Sequence, residues 1–424
     1  MASFSGAFSL HGLFPSIPLA LQWIFEPRWV FTLASIILAV AGGGLRRPST
    51  EAMALGAAWS AFALYLVGRS LAARPEIAFA DFEPVALITT MLVAAVISID
   101  GAQQALRFLV ATAVTIAVVG VGIVMVSALD GTAAPVMPFY ASRTFVVGAF
   151  VCVFLALTQT RRWQAVLFAA FGVFLVYAGL ASIMRASTIM SIAAAIAVLP
   201  FLTARGQWRG AAVFCAVICV GLASYACLHG EAFRQKLDDY SPIGSEASRS
   251  LLAPLGSLEL CAMRIQEVSG HRPAHTDLGR ACDKSVVFTD TDGRLRLLLH
   301  AWATNPSKVV GAGLGAYEFY EASRPFFAVG HYTYPHNLPA EIFFGGGVIG
   351  LGLFGLTLLV VLSICLRSVT MGSLPTPVLL AVVIFTGLVS LVGGDLYDAR
   401  LLWVFPVVLA AFAARDSSAR HEIL

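Results

Sequence analysis

The sequence predicts an all-α polytopic membrane protein with about 12 transmembrane helices and one large, partly helical loop domain. Two observations carry that prediction. Of 424 residues, 58% are hydrophobic and only 12% are charged, and the mean hydropathy is +0.84; a soluble globular chain carries about 25% charged residues. The apolar residues also fall in runs long enough to cross a bilayer, which takes about 20 residues per helix.

Those runs lie near 9–25, 29–45, 52–70, 84–101, 105–127, 143–160, 163–183, 186–204, 210–229, 340–366, 375–393 and 399–414. The first is the weakest, because Ser16, Pro18, Gln22 and Trp23 also suit an interfacial helix. Residues 230–336 carry Pro, Asp, Arg and Ser throughout and are too poor in apolar runs to span. The chain therefore divides into N-terminal transmembrane helices (1–229), a loop domain (230–336) and C-terminal transmembrane helices (337–424). Within the loop, Leu295, Leu298, Leu299 and Trp302 fall at helical spacing, with Asp292 as N-cap and Asn305-Pro306 as the stop. Gly311, Gly313 and Gly315 then mark an irregular loop. No period of 20–50 residues repeats, which argues against a solenoid or an obvious inverted-repeat transporter.

Arginine placement orients the chain. An even number of spans with both termini in the cytoplasm leaves Arg46, Arg47, Arg107, Arg161, Arg162, Arg205, Arg209, Arg367, Arg415 and Arg420 inside. The short outer connections then hold Arg28, Arg69, Arg74, Arg143, Arg185 and Arg400. That distribution obeys the positive-inside rule and puts the long loop outside. The N-terminus shows no charged n-region and no A-x-A site, so no removable signal peptide is expected. The net charge of +3 is small, and no basic run alternates with aromatics. Nucleic acid is therefore not an expected partner; membrane lipids are.

Cysteines divide by environment. Cys152, Cys215, Cys219, Cys227 and Cys365 lie in or beside apolar runs and read as small hydrophobes. Cys261 and Cys282 both lie in the loop; in an oxidising compartment they either pair or stay free, and spacing does not decide which.

Candidate functional residues gather on the outer side. Arg185, in "GLASIMRASTIMSIAAAIA", interrupts two apolar spans with almost no linker. Its guanidinium is either snorkelling to headgroups or holding an anion, for which a rigid fork of donors is well suited. Arg69 and Arg74 end the third span, and Arg294 and Arg296 open the loop helix. His336 sits beside Pro335 and Asn337 at a membrane–water boundary, with His331 and Tyr334 close in sequence. Imidazole accepts a proton near neutral pH, so His336 is either a base or an interfacial hydrogen-bonding group. Three patterns read better as structure than as chemistry. "DTD" (Asp290 to Asp292) and "DFE" (Asp81 to Glu83) sit just before predicted helices, where capping and the helix dipole favour carboxylates. "GAGLG" (Gly311 to Gly315) lacks the strand context and the Lys-Ser/Thr of a phosphate loop. No metal site and no cofactor is expected.

Three stretches together resemble the O-antigen ligase family, which shares a superfamily with O-antigen polymerases and some O-oligosaccharyltransferases. "RASTIM" looks like the family's outer-facing arginine element. "GRLRLLLHAW", followed by "NPSKVVGAGLGAYEF", looks like its arginine-led helix and Gly-x-Gly turn. "PHNLPAEIFFGGGVIGL" looks like its His-Asn element and glycine-containing span. Pro339 departs from the family pattern, which often has a bulky apolar residue there. The resemblance covers most of the chain and implies a GT-C-like fold in the bacterial inner membrane with a periplasmic active site. It implies transfer of a glycan from undecaprenyl pyrophosphate to a sugar hydroxyl of lipid A–core, inverting and without a metal. It favours Arg294 over Arg296, makes His336 the catalytic residue and makes Arg185, Arg294 and Arg69 the donor-pyrophosphate ligands. Asn337, Tyr334, His331 and Arg74 become neighbours of the site. A polymerase or O-oligosaccharyltransferase using the same donor, and a transporter or flippase for an anionic solute, remain open at this point.

Overall fold

The computed structural model describes residues 49–73, 79–99, 101–129, 139–181, 185–228, 230, 305, 307–314, 337–371, 375–393, 396 and 399–421. Among these the chain forms helices and turns, with no strand. The elements are α1 (Thr50–Ala73), α2 (Phe79–Ser98), α3 (Ala102–Leu129), α4 (Phe139–Thr158), α5 (Arg162–Ala181), α6 (Arg185–Ala204), α7 (Trp208–Leu228), α8 (Leu338–Met371), α9 (Thr376–Gly393) and α10 (Arg400–His421). Each coincides with one of the predicted spans. The runs at 9–25 and 29–45 and the helix expected from Asp292 lie outside the described residues. By length and composition α1, α5, α7 and α8 are each long and apolar enough to cross a membrane. The protein is an all-α membrane protein.

Local chemistry sets the helix ends. Ser49 caps α1, its Oγ accepting the Ala52 N–H at 3.1 Å, and Glu51 in the first turn meets the positive end of the helix dipole. Asn337 caps α8 in the same way, its Oδ1 accepting the Ala340 N–H at 2.9 Å. Pro339 then falls in the first turn of α8, where a missing N–H leaves no hydrogen bond unmade. The "DFE" stretch is part of α2, which begins at Phe79 rather than after it.

Aromatic side chains bind the helices together. Trp59 of α1 meets Trp403 of α10 with centroids 5.0 Å apart, and Phe62 of α1 meets Phe354 of α8 at 5.7 Å. Trp59 Nε1 donates to Thr89 Oγ1 of α2 at 2.9 Å, so the indole keeps a polar partner inside the apolar cluster. Phe150 of α4 joins Phe214 of α7 and Phe385 of α9, while Phe154 packs on Phe412 of α10.

These contacts fix helix direction. Arg367, late in α8, pairs with Glu51 at the start of α1 at 2.6 Å. The opposite end of α1 meets the first turns of α8 (below), so the two run antiparallel. Asn337 Nδ2 donates to the Leu391 carbonyl at 2.6 Å, bringing the end of α9 to the start of α8. The Phe154–Phe412 contact puts the late turns of α4 and α10 at the same end. Alternation along the chain then gathers Arg69, Arg143, Asn337, Arg400 and the Arg185 end of α6 at one end of the bundle.

Candidate functional site at a broken helix

Sequence reading predicts a continuous span over 340–366. The structure instead breaks α8 at Gly347, whose φ of 64° and ψ of −161° are not helical. Interrupting a helix inside a membrane strands the carbonyls before the break and the N–H groups after it, and lipid offers them nothing. Here a second piece of chain supplies the partners.

Asn305 and residues 307–314 lie against the break. The carbonyls of Phe343, Phe344 and Gly345 accept hydrogen bonds from Asn305 Nδ2 at 2.9 Å, the Ala312 N–H at 2.8 Å and the Gly313 N–H at 2.8 Å. The Gly346 carbonyl lies 2.9 Å from the Tyr65 hydroxyl of α1. Beyond the break, the N–H groups of Val348 and Ile349 donate to the carbonyls of Lys308 and Val309 at 2.8 and 3.2 Å. Asn305 is itself buried and also holds the turn, its Oδ1 accepting the Ser307 N–H at 3.0 Å.

This approach of backbone to backbone requires glycine. A Cβ on Gly347 would overlap the peptide carbon and oxygen of Val309, and one on Gly311 would overlap the Gly345 carbonyl. Gly311 and Gly313 also carry φ of 79° and 96°, a region that side chains with a Cβ resist. The "GAG" of 311–313 and the "GGG" of 345–347 are therefore two halves of one contact. Gly346 and Gly350, four residues apart, further let α8 close on Leu66 and Tyr65.

The last turns of α1 complete the arrangement. Arg69 Nε donates to the Gly311 carbonyl at 2.8 Å. Ser70 Oγ donates to the Leu66 carbonyl at 2.7 Å and accepts the Leu314 N–H at 2.7 Å. The Tyr65 hydroxyl also faces the Val310 carbonyl at 3.0 Å, so one proton serves two acceptors. Among the described residues neither Arg69 nor Lys308 has an acidic partner.

Among the residues singled out in the sequence, the structure brings Arg69 onto the Gly311 turn and places Asn337 at the head of the same broken helix. Asn337 is doubly held, through its cap and through Leu391. One turn on, Glu341 Oε2 accepts the Leu396 N–H at 3.0 Å, tying the α9–α10 connection to the same place. Arg185 opens α6 at this end of the bundle, and its side chain lies outside the description. His336, Tyr334, His331, Arg74, Arg294, Cys261 and Cys282 also lie outside the described residues. Tyr65, Ser70 and Lys308 are not singled out in the sequence, and Asn305 enters there only as a helix stop. Lys308 lies a few residues before the Gly311–Gly315 stretch, whereas nothing in the sequence marks Tyr65 or Ser70. No family model matches the chain, and no curated protein matches it.

Proposed function

We propose that the protein is an O-antigen ligase, a membrane glycosyltransferase of the bacterial inner membrane acting on the periplasmic face. One observation carries the proposal. Two separate stretches resemble the family, "NPSKVVGAGLG" and "PHNLPAEIFFGGGVIGL"; Asn305 and residues 307–313 of the first dock on residues 343–349 of the second, largely through their backbones, and Arg69 joins the same turn. Residues far apart in sequence thus meet, which supports the reading.

In this reading the donor is a glycan on undecaprenyl pyrophosphate and the acceptor is a sugar hydroxyl of lipid A–core. The hydroxyl oxygen attacks the anomeric carbon. The new C–O bond forms as the bond to the pyrophosphate oxygen breaks, and undecaprenyl pyrophosphate leaves with the electron pair. The hydroxyl proton passes to His336. Direct attack inverts the anomeric centre. Arg69, Arg185 and Arg294 meet the negative charge of the leaving group, a role that guanidinium performs without a metal. Asn337 holds the start of α8 beside His336.

A transporter for an anionic solute is the reading that a broken helix favours, since such proteins use unwound backbone to bind their cargo. In this chain the freed carbonyls of residues 343–346 already have protein donors. That leaves the transport reading without its usual ligands. A polymerase using the same donor differs only in acceptor. The test is reconstitution with lipid-linked glycan and lipid A–core, with and without chelator. A glycosylated lipid A–core formed in chelator supports the ligase; a lengthened lipid-linked glycan indicates the polymerase; no transfer to either removes both of those readings.

A further inference from the structure

The turn at residues 308–310 is the tip of the segment that fills the helix break, and it faces outward. Lys308 is exposed. Beside it, Val309 is 62% exposed, and Val348 and Ile349 across the break are 56% and 43% exposed. On a membrane protein such an apolar face looks into lipid. A lysine at its edge either reaches for the headgroup layer or holds an anion.

Arg69 lies on the same turn through its Gly311 bond, and the Gly311 N–H to Ser307 carbonyl bond of 2.7 Å closes that turn around Lys308. The Nε of Arg69 is occupied, whereas its two terminal amino groups have no partner among the described residues. Two cations without acidic partners thus flank one apolar, outward-facing patch. That combination complements a lipid whose headgroup carries several negative charges close together and whose tail is a plain hydrocarbon.

We infer that this patch is the lateral docking surface for the polyisoprenoid pyrophosphate donor. Lys308 and the Arg69 amino groups meet the pyrophosphate, and Val309, Val348 and Ile349 meet the first isoprene units. The inference rests on the ligase reading for the identity of the donor. It adds Lys308 to the binding residues and gives the helix break a purpose: the break lets a cation-bearing turn reach the lipid-facing wall while its backbone stays satisfied.

The test uses the purified full chain in nanodiscs of phosphatidylcholine. Its probes are glycan-free undecaprenyl pyrophosphate, phosphatidylglycerol and inorganic pyrophosphate. Undecaprenyl pyrophosphate should bind more tightly than either of the others. Lys308→Ala should weaken it by about fivefold, the worth of one cation near an anionic lipid surface, and Lys308→Arg should restore it. Lys308 is exposed, so thermal unfolding should not change. Ile349→Ser should weaken undecaprenyl pyrophosphate and leave inorganic pyrophosphate unaffected. Unchanged binding in Lys308→Ala overturns the inference alone, as does phosphatidylglycerol binding equally well. A wild-type chain that ignores undecaprenyl pyrophosphate overturns the ligase reading with it.

Discussion

Arg69 and Gly311 are 242 residues apart in sequence and joined by a 2.8 Å hydrogen bond from Nε to the carbonyl oxygen. The bond ties the end of the first described helix to the turn that fills the break in α8. It also fixes the guanidinium, whose terminal amino groups have no partner among the described residues.

Substitutions at Arg69 should separate those two roles. Arg69→Ala removes a charge-assisted hydrogen bond and should destabilise the fold by about 1.5–3 kcal/mol. Arg69→Gln keeps an N–H donor without charge and should recover part of that stability while binding donor poorly. Arg69→Lys keeps the charge and loses the fork, so it should bind donor better than Gln. Thermal unfolding and donor affinity measured on all three decide the matter. A Gln variant with wild-type turnover would remove the Arg69 charge from the site.

Gly347 should tolerate no side chain. Its φ and ψ lie in a region populated by glycine alone, and a Cβ would enter the Val309 peptide. Gly347→Ala should cost more than about 3 kcal/mol, the scale of backbone strain plus overlap. Gly352→Ala on the same helix meets nothing within 4 Å and should be neutral or stabilising by up to about 1 kcal/mol. Equal yields of folded protein from the two variants would show that the break is dispensable.

Asn337 uses both ends of its amide. Asn337→Asp keeps the cap on Ala340 and loses the donor to Leu391; Asn337→Ala loses both. The cap is worth about 0.5–2 kcal/mol and the second bond about 0.5–1.5 kcal/mol. Stability should fall in the order Asn, Asp, Ala. A thermal midpoint that is lower for Asp than for Ala would mean that repulsion from the Leu391 carbonyl outweighs the cap.

The elements were legible from the sequence, because apolar length alone specifies a membrane helix. Ten of the predicted apolar runs overlap described helices, and α1, α5, α7 and α8 are long and apolar enough to cross a membrane. The break in α8 was not legible from hydropathy, which counts apolar atoms and not hydrogen bonds. Residues 340–366 score as a span whether or not Gly347 is helical. A signal was nevertheless there. Three consecutive glycines inside one span cost helix stability at about 1 kcal/mol each, which calls for a compensating contact. In the sequence "GAG" reads as an irregular loop, although two glycine clusters in one chain are what a close backbone crossing needs. Lys308 could not be ranked from sequence at all: its significance comes from exposure beside Val348 and Ile349, neighbours only through the fold.

His336 carries the chemistry of the proposed reaction, and its substitution gives the sharpest result. The acceptor hydroxyl does not ionise near neutral pH, so its proton must leave as the bond to carbon forms. A positioned imidazole is worth about 10²–10⁴-fold in rate. His336→Ala should lower kcat by that factor with donor affinity nearly unchanged, because in the proposed site the arginines hold the pyrophosphate. Only neutral imidazole accepts a proton. Wild-type turnover should therefore fall as pH drops through the imidazole range, and the variant should lose that dependence. Asn337→Ala provides a control on position. It keeps His336 but releases the start of α8 from Leu391, so it should lower kcat while retaining the acid limb of the profile. Turnover at saturating substrates across pH, measured for all three proteins, decides between base and bystander. A His336→Ala protein within about tenfold of wild type and with the same pH profile excludes His336 as the base. Catalysis would then fall to the arginines, and the Arg69 series would show the larger losses.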